Sequence, residues 1–516
     1  MSALAGLSKN EYRSCVITDF SDDGEGIGRA DGIPVFVSGA VIGDTVKCKI
    51  TKVKKNMAYA RLEEIMEASP DRVLPACTIA KQCGGCRVQQ YDYAAQLRYK
   101  ARKVKELLVR IGHFPEEEIA KVLLPVTGME EPYRFRNKAQ VPVGVSDHRI
   151  VCGYYAPHSH RIVPQEDCLT GDAVCAGVLA AVRAWMEEQR IPAYDEDGHT
   201  GLVRHVLIRK GFATGEVMVC LVVNQAASTE SDYPGLRRLA EELQRVCSGE
   251  GSAVDVVSTQ ADAISTEESN DNRLVSLCIN YNPQRTNVIL GRHTRTVFGM
   301  AYIKDVLCGL RFRISAQSFY QVNPWMTERL YGKVAEHAAK ALPDALQRDV
   351  RSSCNRAAVI WDLYCGIGTI SLMLAKRFPE AKVYGVEIVP QAIEDAKENA
   401  RINGIENAHF LCAKSEDIHV ATNHDAVATT DAESNMLPAP DIIVVDPPRK
   451  GLDRALIDTI LRAAPAHIIY VSCDPATLSR DLHLFADGGY QLREASPFDM
   501  FPHTTHVESV CLMSKV

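Results

Sequence analysis

The C-terminal third of the chain alternates short aliphatic runs with helix-like stretches, and this alternation limits the fold more than any other feature. Strands are predicted at 359–364, 382–387 and 441–446, and helices at 369–377 and 390–403. Repeated units of strand, glycine turn and helix predict a parallel, doubly wound sheet. Ligands bind such sheets at the carboxyl ends of their strands. We therefore expect functional residues to follow the strands directly.

The turn after the first of these strands predicts a cofactor site. Gly366 and Gly368 let the backbone approach a ligand without Cβ clashes. Glu387 ends the next strand about twenty residues later, where an acid typically binds ribose hydroxyls. Ser371 stands at the third glycine position of a dinucleotide fingerprint, which argues against a dinucleotide. S-adenosylmethionine has no pyrophosphate to hold, so this looser turn predicts that cofactor.

Two further motifs predict group transfer through a covalent step. In methyltransferases that act on exocyclic amines, an aromatic residue follows an acid and two prolines. Arg449 stands there in this chain, after Asp446 and two prolines, and this favours a carbon target. A carbon target needs a nucleophile, and Cys473, directly after the aliphatic run 467–472, is the candidate. Cys365, inside the cofactor turn, is the competing thiol.

Closely spaced cysteines near the N-terminus predict a metal centre. Two of them, Cys83 and Cys86, are separated by two glycines, and Cys77 lies upstream. A fourth ligand is needed, and Cys168 is the best candidate. The alternatives for this fourth position are Cys152 and Cys175. An iron–sulfur cluster and a structural zinc ion both remain open at this point.

The remainder of the chain predicts two further domains. Residues 8–66 alternate apolar and polar positions in short runs separated by glycines, which predicts a small β-barrel. Residues 128–305 hold strand-like runs, and a hairpin is predicted between 203–208 and 216–223. We interpret this middle region as a mixed α+β domain.

Charge is unevenly distributed over a chain whose net charge is −7. The stretches 47–61 and 98–110 are rich in Lys and Arg. Part of the acidic surplus lies in 248–272 and 415–441, which show no helical or strand period and are predicted to be solvated insertions. Without them, the rest of the chain could hold a polyanion such as a nucleic acid.

The length of 516 residues predicts two to four domains. No apolar run reaches the roughly 18 residues that span a bilayer, and the N-terminus lacks the pattern of a signal peptide. Seventeen scattered cysteines, an odd number, do not predict a disulfide framework. We expect a cytoplasmic protein, a monomer with no membrane association and no obligate protein partner.

Taken together, the motifs resemble the RNA uracil-C5 methyltransferase family, particularly the bacterial 23S rRNA (uracil-5-)-methyltransferases. The resemblance covers nearly the whole chain and begins with the barrel, which is similar to a TRAM domain. The other motifs that carry it are Cys77-x5-Cys83-x2-Cys86 with Cys168, Gln317 to Asn323, Asp362 to Thr369, Asp446 to Gly451, Val471 to Leu478, and His506-Val507-Glu508. Family members often have Asn where this chain has Asp474.

The resemblance implies a multidomain α/β fold with three parts. An N-terminal OB-fold-like β-barrel of the TRAM type would occupy 8–66 and bind RNA. A central α+β domain would occupy 70–305 and contain the iron–sulfur cysteines and the acidic insertion near 248–272. A Rossmann-like S-adenosylmethionine-dependent methyltransferase domain would occupy 310–516.

The resemblance also implies roles for individual residues. A [4Fe-4S] cluster would be bound by Cys77, Cys83, Cys86 and Cys168. S-adenosylmethionine would be bound by Gln321, Tyr364, Glu387 and Asp446. The nucleophile would be Cys473 and the base Glu508. The rival bases are Asp499, His503 and His506.

The implied reaction is addition of a thiolate to C6 of uracil, methyl transfer to C5, and removal of the C5 proton by a base. The target base must leave its stack to reach the thiol. The barrel and the stretch 98–110 are expected to grip the RNA backbone. The alternatives are a tRNA uracil-5-methyltransferase and a non-catalytic RNA-binding or ribosome-assembly factor.

Overall fold

The computed structural model describes residues 7–227, 233–250, 272–347, 356–421 and 435–516. Of the predicted insertion 248–272, residues 251–271 lie outside the described residues, as do 422–434 of the insertion 415–441. The ends of the second insertion are structured, because Ser415–Asp417 form a 3₁₀ turn. Two short strands then pair beside it, with Ile418 and Leu437 buried in the core. The prediction of a purely solvated loop is therefore wrong at both ends of this segment.

The N-terminal region is a closed five-stranded barrel, as predicted, with the order β1-β2-β3-β5-β4. Its strands are β1 (Tyr12–Phe20), β2 (Gly26–Ala30), β3 (Ile33–Ser38), β4 (Thr45–Val53) and β5 (Ala58–Glu67). Strand β2 did not stand out in the sequence, where its glycines suggest a turn. Gly28 lies inside the strand because a Cβ there would come within 2.7 Å of the Cys15 sulfur. Close packing, and not turn formation, explains this glycine.

Two helices follow the barrel, and a seven-stranded mixed sheet follows the helices. The helices are α1 (Tyr93–Arg110) and α2 (Glu116–Val122). The sheet has the order β12-β11-β10-β9-β6-β7-β8. Two helices pack together against this sheet. In chain order, the strands and helices of this region are β6 (Lys138–Ser146), β7 (Arg149–Tyr155), β8 (Ile162–Pro164), α3 (Val174–Glu188), β9 (Val203–Lys210), β10 (Glu216–Val223), α4 (Leu236–Cys247), β11 (Arg273–Tyr281) and β12 (His293–Gly299). The hairpin predicted between 203–208 and 216–223 is the antiparallel pair β9–β10.

A hairpin and a long helix lead into the second large sheet. They are β13 (Tyr302–Leu307), β14 (Leu310–Ser315) and α5 (Pro324–Gln347). The elements of the last region are β15 (Val359–Leu363), α6 (Thr369–Arg377), β16 (Lys382–Glu387), α7 (Pro390–Ile402), β17 (Ala408–Cys412), β18 (His419–Val420), β19 (Met436–Leu437), β20 (Ile442–Val445), α8 (Arg454–Ala463), β21 (His467–Ser472), α9 (Pro475–Asp487), β22 (Tyr490–Phe498) and β23 (Glu508–Lys515). No helix within the described ranges is long and apolar enough to cross a membrane.

The second sheet has the strand order β17-β16-β15-β20-β21-β23-β22. The first five strands are parallel, as the alternation predicts, whereas β23 runs antiparallel to both β21 and β22. This reversal brings the start of β23 to the edge at which β20 and β21 end. The carboxyl edge of the parallel strands therefore also receives the first residue of the last strand.

Helix α1 packs on the second sheet and not on the central one. Val104 and Leu108 are fully buried in the same core as Trp361 and Tyr470. Every Lys and Arg of this helix forms an ion pair within the chain. Most of the partners lie in other segments, so these pairs join α1 to its neighbours. The pairs are Arg98–Asp71, Lys100–Asp499, Arg102–Asp19, Lys103–Asp22, Lys105–Glu116 and Arg110–Glu106. Each cation of this stretch therefore has a counter-charge within the chain, and the expectation that the stretch grips the RNA backbone stays a prediction.

The pair between Lys100 and Asp499 is the most deeply buried of these contacts. The Lys100 Nζ lies 2.5 Å from Asp499 Oδ1, and both side chains have no exposed area. The ammonium also donates to the backbone carbonyl of Phe501 at 3.2 Å. Burial lowers the pKa of Lys100, while Asp499 acts in the opposite direction. The pair joins α1 to the loop that follows β22.

Replacing Lys100 with Met should destabilise the protein by about 3–5 kcal/mol, because the Asp499 carboxylate stays buried without a counter-charge. Adding Asp499→Leu should recover most of this loss. Lys105→Met on the same helix breaks an exposed pair and should cost about 1 kcal/mol or less. Denaturant unfolding of the four proteins measures these differences. A double variant as unstable as Lys100→Met alone would contradict the assignment of the loss to an unpaired charge.

Candidate active site

Three strands deliver three chemically reactive side chains to one edge of the second sheet. Asp446 directly follows β20, Cys473 directly follows β21, and Glu508 begins β23. Val445 pairs with Tyr470 in the parallel register, so β20 and β21 end side by side. Ser472 pairs with Ser509 across the antiparallel strands, which places Cys473 and Glu508 at adjacent positions. The two residues predicted to be nucleophile and base therefore come together.

The turn that carries Cys473 is held on both sides. The Ser472 hydroxyl donates to the Asp474 carbonyl at 3.0 Å and accepts from the Asp474 amide at 3.1 Å. The Asp474 carboxylate caps α9, accepting from the amides of Ala476 at 2.8 Å and Thr477 at 3.2 Å. Capping explains why Asp can stand where relatives often have Asn, since both side chains offer the acceptor oxygen. Cys473 itself is half-buried between these anchors.

Burial shifts all three groups toward their neutral forms. It raises the pKa of the Cys473 thiol to about 12, and the nearby Glu508 and Asp446 act in the same direction. It raises the pKa of Glu508 to about 8, with Asp446 again adding to the effect. It raises the pKa of Asp446 to about 7, helped by Asp362. Arg449 opposes the shifts at Cys473 and Glu508 and is the cation in this acidic pocket.

The predicted cofactor turn lies between β15 and α6 and is hydrogen-bonded to the end of β16. The Gly366 amide donates to one oxygen of Glu387 at 3.2 Å, and the Val389 amide donates to the other at 3.0 Å. Gly368 has φ 81°, and a Cβ there would lie 2.9 Å from the Phe410 ring, so no larger residue fits. Glu387 is thus fixed at the turn, in the position predicted for a ribose acceptor.

Other residues around this turn have contacts that the sequence did not reveal. Ser371, which replaces the third glycine, donates to the buried Asp362 carboxylate at 2.5 Å. The Asp362 side chain also has one oxygen without a hydrogen-bond partner in the described structure. Tyr364 has φ 67° and its hydroxyl donates to Glu416 at 3.3 Å. Cys365, the competing thiol, is buried, and burial raises its pKa well above the usual value.

Gln321 lies in the loop between β14 and α5, and the central sheet holds that loop. The Asn137 side chain donates to the Gln321 carbonyl at 2.9 Å, and the Asn137 amide donates to the Val322 carbonyl at 2.9 Å. The buried Arg209 guanidinium donates to the Ser318 carbonyl at 2.5 Å. Sequence reasoning missed Asn137 and Arg209 because their partners are backbone carbonyls far away in the chain. The only available signal for this contact was that Arg209, a buried cation, has no acid near it in the sequence.

The loop between β22 and β23 contains the three rival bases. Asp499 is paired with Lys100, as described above. The His503 carbonyl accepts from the amides of Arg87 at 3.0 Å and Val88 at 3.1 Å. Its ring stacks on Tyr133 with centroids 4.7 Å apart. Asp499 and His503 therefore anchor the loop. His506 is different, because burial and then the nearby Arg449 lower its pKa, which places it close to the pocket.

The four cysteines predicted to bind a metal are neighbours. The charge of Cys168 acts on each of Cys77, Cys83 and Cys86. The Gly85 amide donates to the Cys83 sulfur at 3.4 Å. The alternatives Cys152 and Cys175 are instead buried in the hydrophobic core of the central sheet.

This neighbourhood has the donor chemistry of a metal centre, because all four side chains are thiols. The described residues nevertheless contain no group of three or more His, Cys, Asp or Glu side chains arranged to hold a metal ion. The thiols would have to draw together to share an ion or a cluster. Arg87 and Val88, next to Cys86, are the residues that bind the His503 carbonyl, so this segment directly supports the loop that leads to Glu508.

Glu508→Gln should stabilise the protein increasingly as pH rises from about 5 to 8. Burial raises the pKa of Glu508 from 4.5 to about 8, so between these values the folded chain keeps a proton that the unfolded chain has lost. The stability of the wild type therefore falls as pH rises over this window. Above the window, the destabilisation caused by Glu508 stays constant. Urea unfolding at several pH values measures the difference. Glu380→Gln, at an exposed position, is the control, and a pH-independent gain for Glu508→Gln would contradict the shift.

Comparison with known proteins assigns this arrangement to a family. A family model described as tRNA (Uracil-5-)-methyltransferase matches residues 286–516, and one described as TRAM domain matches residues 11–62. A relative from Halalkalibacterium halodurans, named as an uncharacterised RNA methyltransferase, is 40% identical over 99% of this chain and 98% of its own length. Another of the same name, from Clostridium acetobutylicum, is 38% identical over 100% of both chains.

A solved structure shares the fold over nearly the whole chain. It is the tRNA (uracil-54, C5)-methyltransferase of Pyrococcus abyssi in complex with S-adenosyl-L-homocysteine. The TM-score is 0.70 at 24% identity, covering 97% of this chain and 100% of the other. The likeness confirms the predicted combination of a Rossmann-like methyltransferase sheet with an N-terminal barrel. The chain belongs to the RNA uracil-C5 methyltransferase family.

Proposed function

We propose that this protein transfers the methyl group of S-adenosylmethionine to C5 of a uracil in RNA and so makes 5-methyluridine. The observation that carries the proposal is the meeting of Cys473, Glu508 and Asp446 at the carboxyl edge of one sheet, beside a glycine turn anchored on Glu387. A thiol next to a buried acid provides both groups that methylation of a pyrimidine carbon requires.

The chemistry follows from the weak nucleophilicity of C5. The Cys473 sulfur, as thiolate, forms a bond to C6, and the displaced electron pair makes C5 an enolate carbon. C5 then attacks the methyl carbon, and S-adenosylhomocysteine leaves. The Glu508 carboxylate removes the C5 proton, the C5–C6 double bond re-forms, and the C6–sulfur bond breaks to release the thiolate. The neighbouring Arg449 favours the charged forms of both protein groups.

We assign the methyl donor to the turn and loops around β15. Glu387 would accept from the ribose hydroxyls, and Gln321, Tyr364 and Asp446 would supply the other contacts to the methyl donor. The Glu387 carboxylate is already oriented by two backbone amides, so a ligand need not order it on binding. The target base must be turned out of its stack to reach Cys473.

For the RNA, we propose 23S rRNA. The support is the resemblance to bacterial 23S enzymes, which rests on the barrel together with the four cysteines. A tRNA substrate is the second candidate, favoured by the name of the family model and by the substrate of the Pyrococcus abyssi enzyme. A non-catalytic role in RNA binding or ribosome assembly is a third reading, and the intact set of Cys473, Glu508 and Glu387 argues against it.

Cells that lack this protein should lose 5-methyluridine at one or more rRNA positions and regain it with the wild-type chain. Cys473→Ala should fail to restore it, whereas Cys247→Ala, at a cysteine in the hydrophobic core of the central sheet, should restore it fully. Mapping the modified base in rRNA and tRNA separates the two substrates. Unchanged methylation in every rRNA and tRNA would remove the proposed function.

Glu508→Gln should still add to uracil and transfer the methyl group, and then stall, because nothing removes the C5 proton. A protein–RNA complex that survives denaturation should accumulate with labelled RNA and S-adenosylmethionine, and should be absent for Cys473→Ala. Glu380→Gln should turn over normally. Normal turnover by Glu508→Gln would instead direct attention to His506. A stable complex formed by Cys473→Ala would pass the nucleophile's role to Cys365.

We further propose that Cys77, Cys83, Cys86 and Cys168 bind a [4Fe-4S] cluster. The all-thiol donor set and the mutual proximity of the four side chains support this. The amide that donates to the Cys83 sulfur is the kind of contact that stabilises a sulfur ligand. Bound there, a cluster would join the segment before α1 to the Cys168 loop.

Protein purified without oxygen should be brown and contain about four irons per chain. Cys168→Ala should lower the iron content, whereas Cys152→Ala and Cys175→Ala should retain it, since those thiols belong to the hydrophobic core. Iron and zinc analysis with the visible spectrum measures this. Colourless protein with one zinc per chain would establish the structural zinc alternative.

A further inference from the structure

The loop that follows β20 carries two of the pocket residues, Asp446 at its start and Arg449 near its middle. We name residues 446–452 the Arg449 loop. Its backbone turns where the Gly451 amide donates to the Pro448 carbonyl at 2.8 Å. Gly451 has φ 73°, and a Cβ there would lie 2.6 Å from the Asp481 carboxylate. The Arg449 loop therefore packs closely against α9, the helix that contains this acid.

The side chain of Asp481 has no exposed area and is hydrogen-bonded on both of its oxygens. One oxygen accepts from the Leu452 amide at 2.8 Å and from the Tyr470 hydroxyl at 2.6 Å. The other accepts from Arg480 Nε at 2.8 Å. The same guanidinium donates to the carbonyls of Lys450 at 3.1 Å and Leu452 at 3.3 Å. One buried acid therefore joins the Arg449 loop to β21, the strand that precedes the proposed nucleophile.

The first turn of α9 contacts the Arg449 loop and the nucleophile turn at the same time. The Thr477 hydroxyl lies within hydrogen-bond distance of two carbonyls, that of Arg449 at 3.1 Å and that of Asp474 at 3.2 Å. Asp474 directly follows Cys473 and caps the helix. The backbone of Arg449 is therefore held next to the backbone of the thiol residue by a single turn of helix.

The charged groups around the Cys473 thiol come from several elements. Glu508 on β23, Asp446 after β20 and Asp474 in the nucleophile turn all make the thiolate harder to form, whereas Arg449 makes it easier to form. The other groups on which the Arg449 charge acts are Asp22 and His506. The Arg449 side chain is exposed, so the backbone of its loop decides where the guanidinium lies. Moving this loop would therefore change the ionisation of the thiol.

We propose that Asp481 is a positioning residue for methyl transfer, because it holds the Arg449 loop against α9 and so keeps the Arg449 cation beside the Cys473 thiol. The inference rests on the proposed function for the reaction that the thiol performs. Asp481 acts through the backbone of the loop. Its charge matters as well as its shape, since the carboxylate orients Arg480 toward two carbonyls of the loop.

The test measures how fast a neutral reagent, iodoacetamide, alkylates Cys473 in the full chain without RNA or cofactor. Trypsin releases residues 463–480 as one peptide whose only cysteine is Cys473, so mass spectrometry follows this thiol alone. The rate follows the thiolate fraction, so Asp481→Asn should slow alkylation about threefold or more at a fixed, mildly alkaline pH. Arg449→Gln should slow it at least as much. The exposed Cys412 in the same sample should react at an unchanged rate.

A double variant separates positioning from a general loss of stability. If Asp481 acts through Arg449, Asp481→Asn combined with Arg449→Gln should react no more slowly than Arg449→Gln alone. Asp487→Asn, at an exposed position on the same helix, is the matched control and should leave the rate unchanged. Thermal unfolding of each variant shows whether the protein is folded.

Thr477 provides a second test that leaves the buried acid in place. Thr477→Val removes the hydroxyl next to the Arg449 carbonyl with little change of shape, and it should also slow alkylation of Cys473. Thr477→Ser keeps the hydroxyl and should react at the wild-type rate. This pair of variants carries the test if Asp481→Asn does not fold.

A wild-type alkylation rate for folded Asp481→Asn would overturn the inference, and so would a wild-type rate for Thr477→Val if the first variant does not fold. A double variant that is slower than Arg449→Gln by the full effect of Asp481→Asn would also overturn it. Any of these results with normal formation of 5-methyluridine by the wild type would remove only the positioning role. The expected alkylation rates, combined with no RNA methylation by the wild type, would retain the role of Asp481 in placing Arg449 and remove the proposed function.

Discussion

The position of Glu508 depends on contacts that the N-terminal part of the chain makes with the loop between β22 and β23. The buried pair of Lys100 with Asp499 fixes the start of this loop. The amides of Arg87 and Val88 fix its middle through the His503 carbonyl. Both contacts join segments about 400 residues apart, and a buried charge left without its partner is strongly destabilising. Docking of the first helix therefore supports the position of Glu508 at the sheet edge.

The pocket's chemistry follows from burying several acids together. Burial raises the pKa of Glu508 to about 8 and that of Asp446 to about 7; Asp446 adds to the shift at Glu508, and Asp362 adds to the shift at Asp446. The Cys473 thiol in the same place is also driven to its neutral form, so burial favours the protonated form of all three groups. Arg449 is the cation that opposes this. A cationic methyl donor would act in the same direction, which links cofactor binding to activation of the proposed nucleophile.

The sequence predicted the sheet well because each element there has a local signal. The strands 382–387 and 467–472 and the helix 369–377 have the bounds expected from their apolar periods. Packing against other strands decided what local signals left open. The glycines of β2 suggest a turn, yet Gly28 lies inside the strand because it packs closely against Cys15 of β1. The cations of α1 pair with acids that include Asp499 and Asp22, which only folding brings near.

The sequence alone determined the fold class and the family and named the candidate reactive side chains, since these depend on periodicity and on residue types at fixed spacings. Tertiary structure decided which of them meet. Cys473 and Glu508 are neighbours because β23 runs antiparallel beside β21, and strand direction across a sheet has no local signature. Tertiary structure also supplied the cations of α1 with counter-charges such as Asp499 and Asp22, because the partners of a charge are set by contacts that only folding brings within reach.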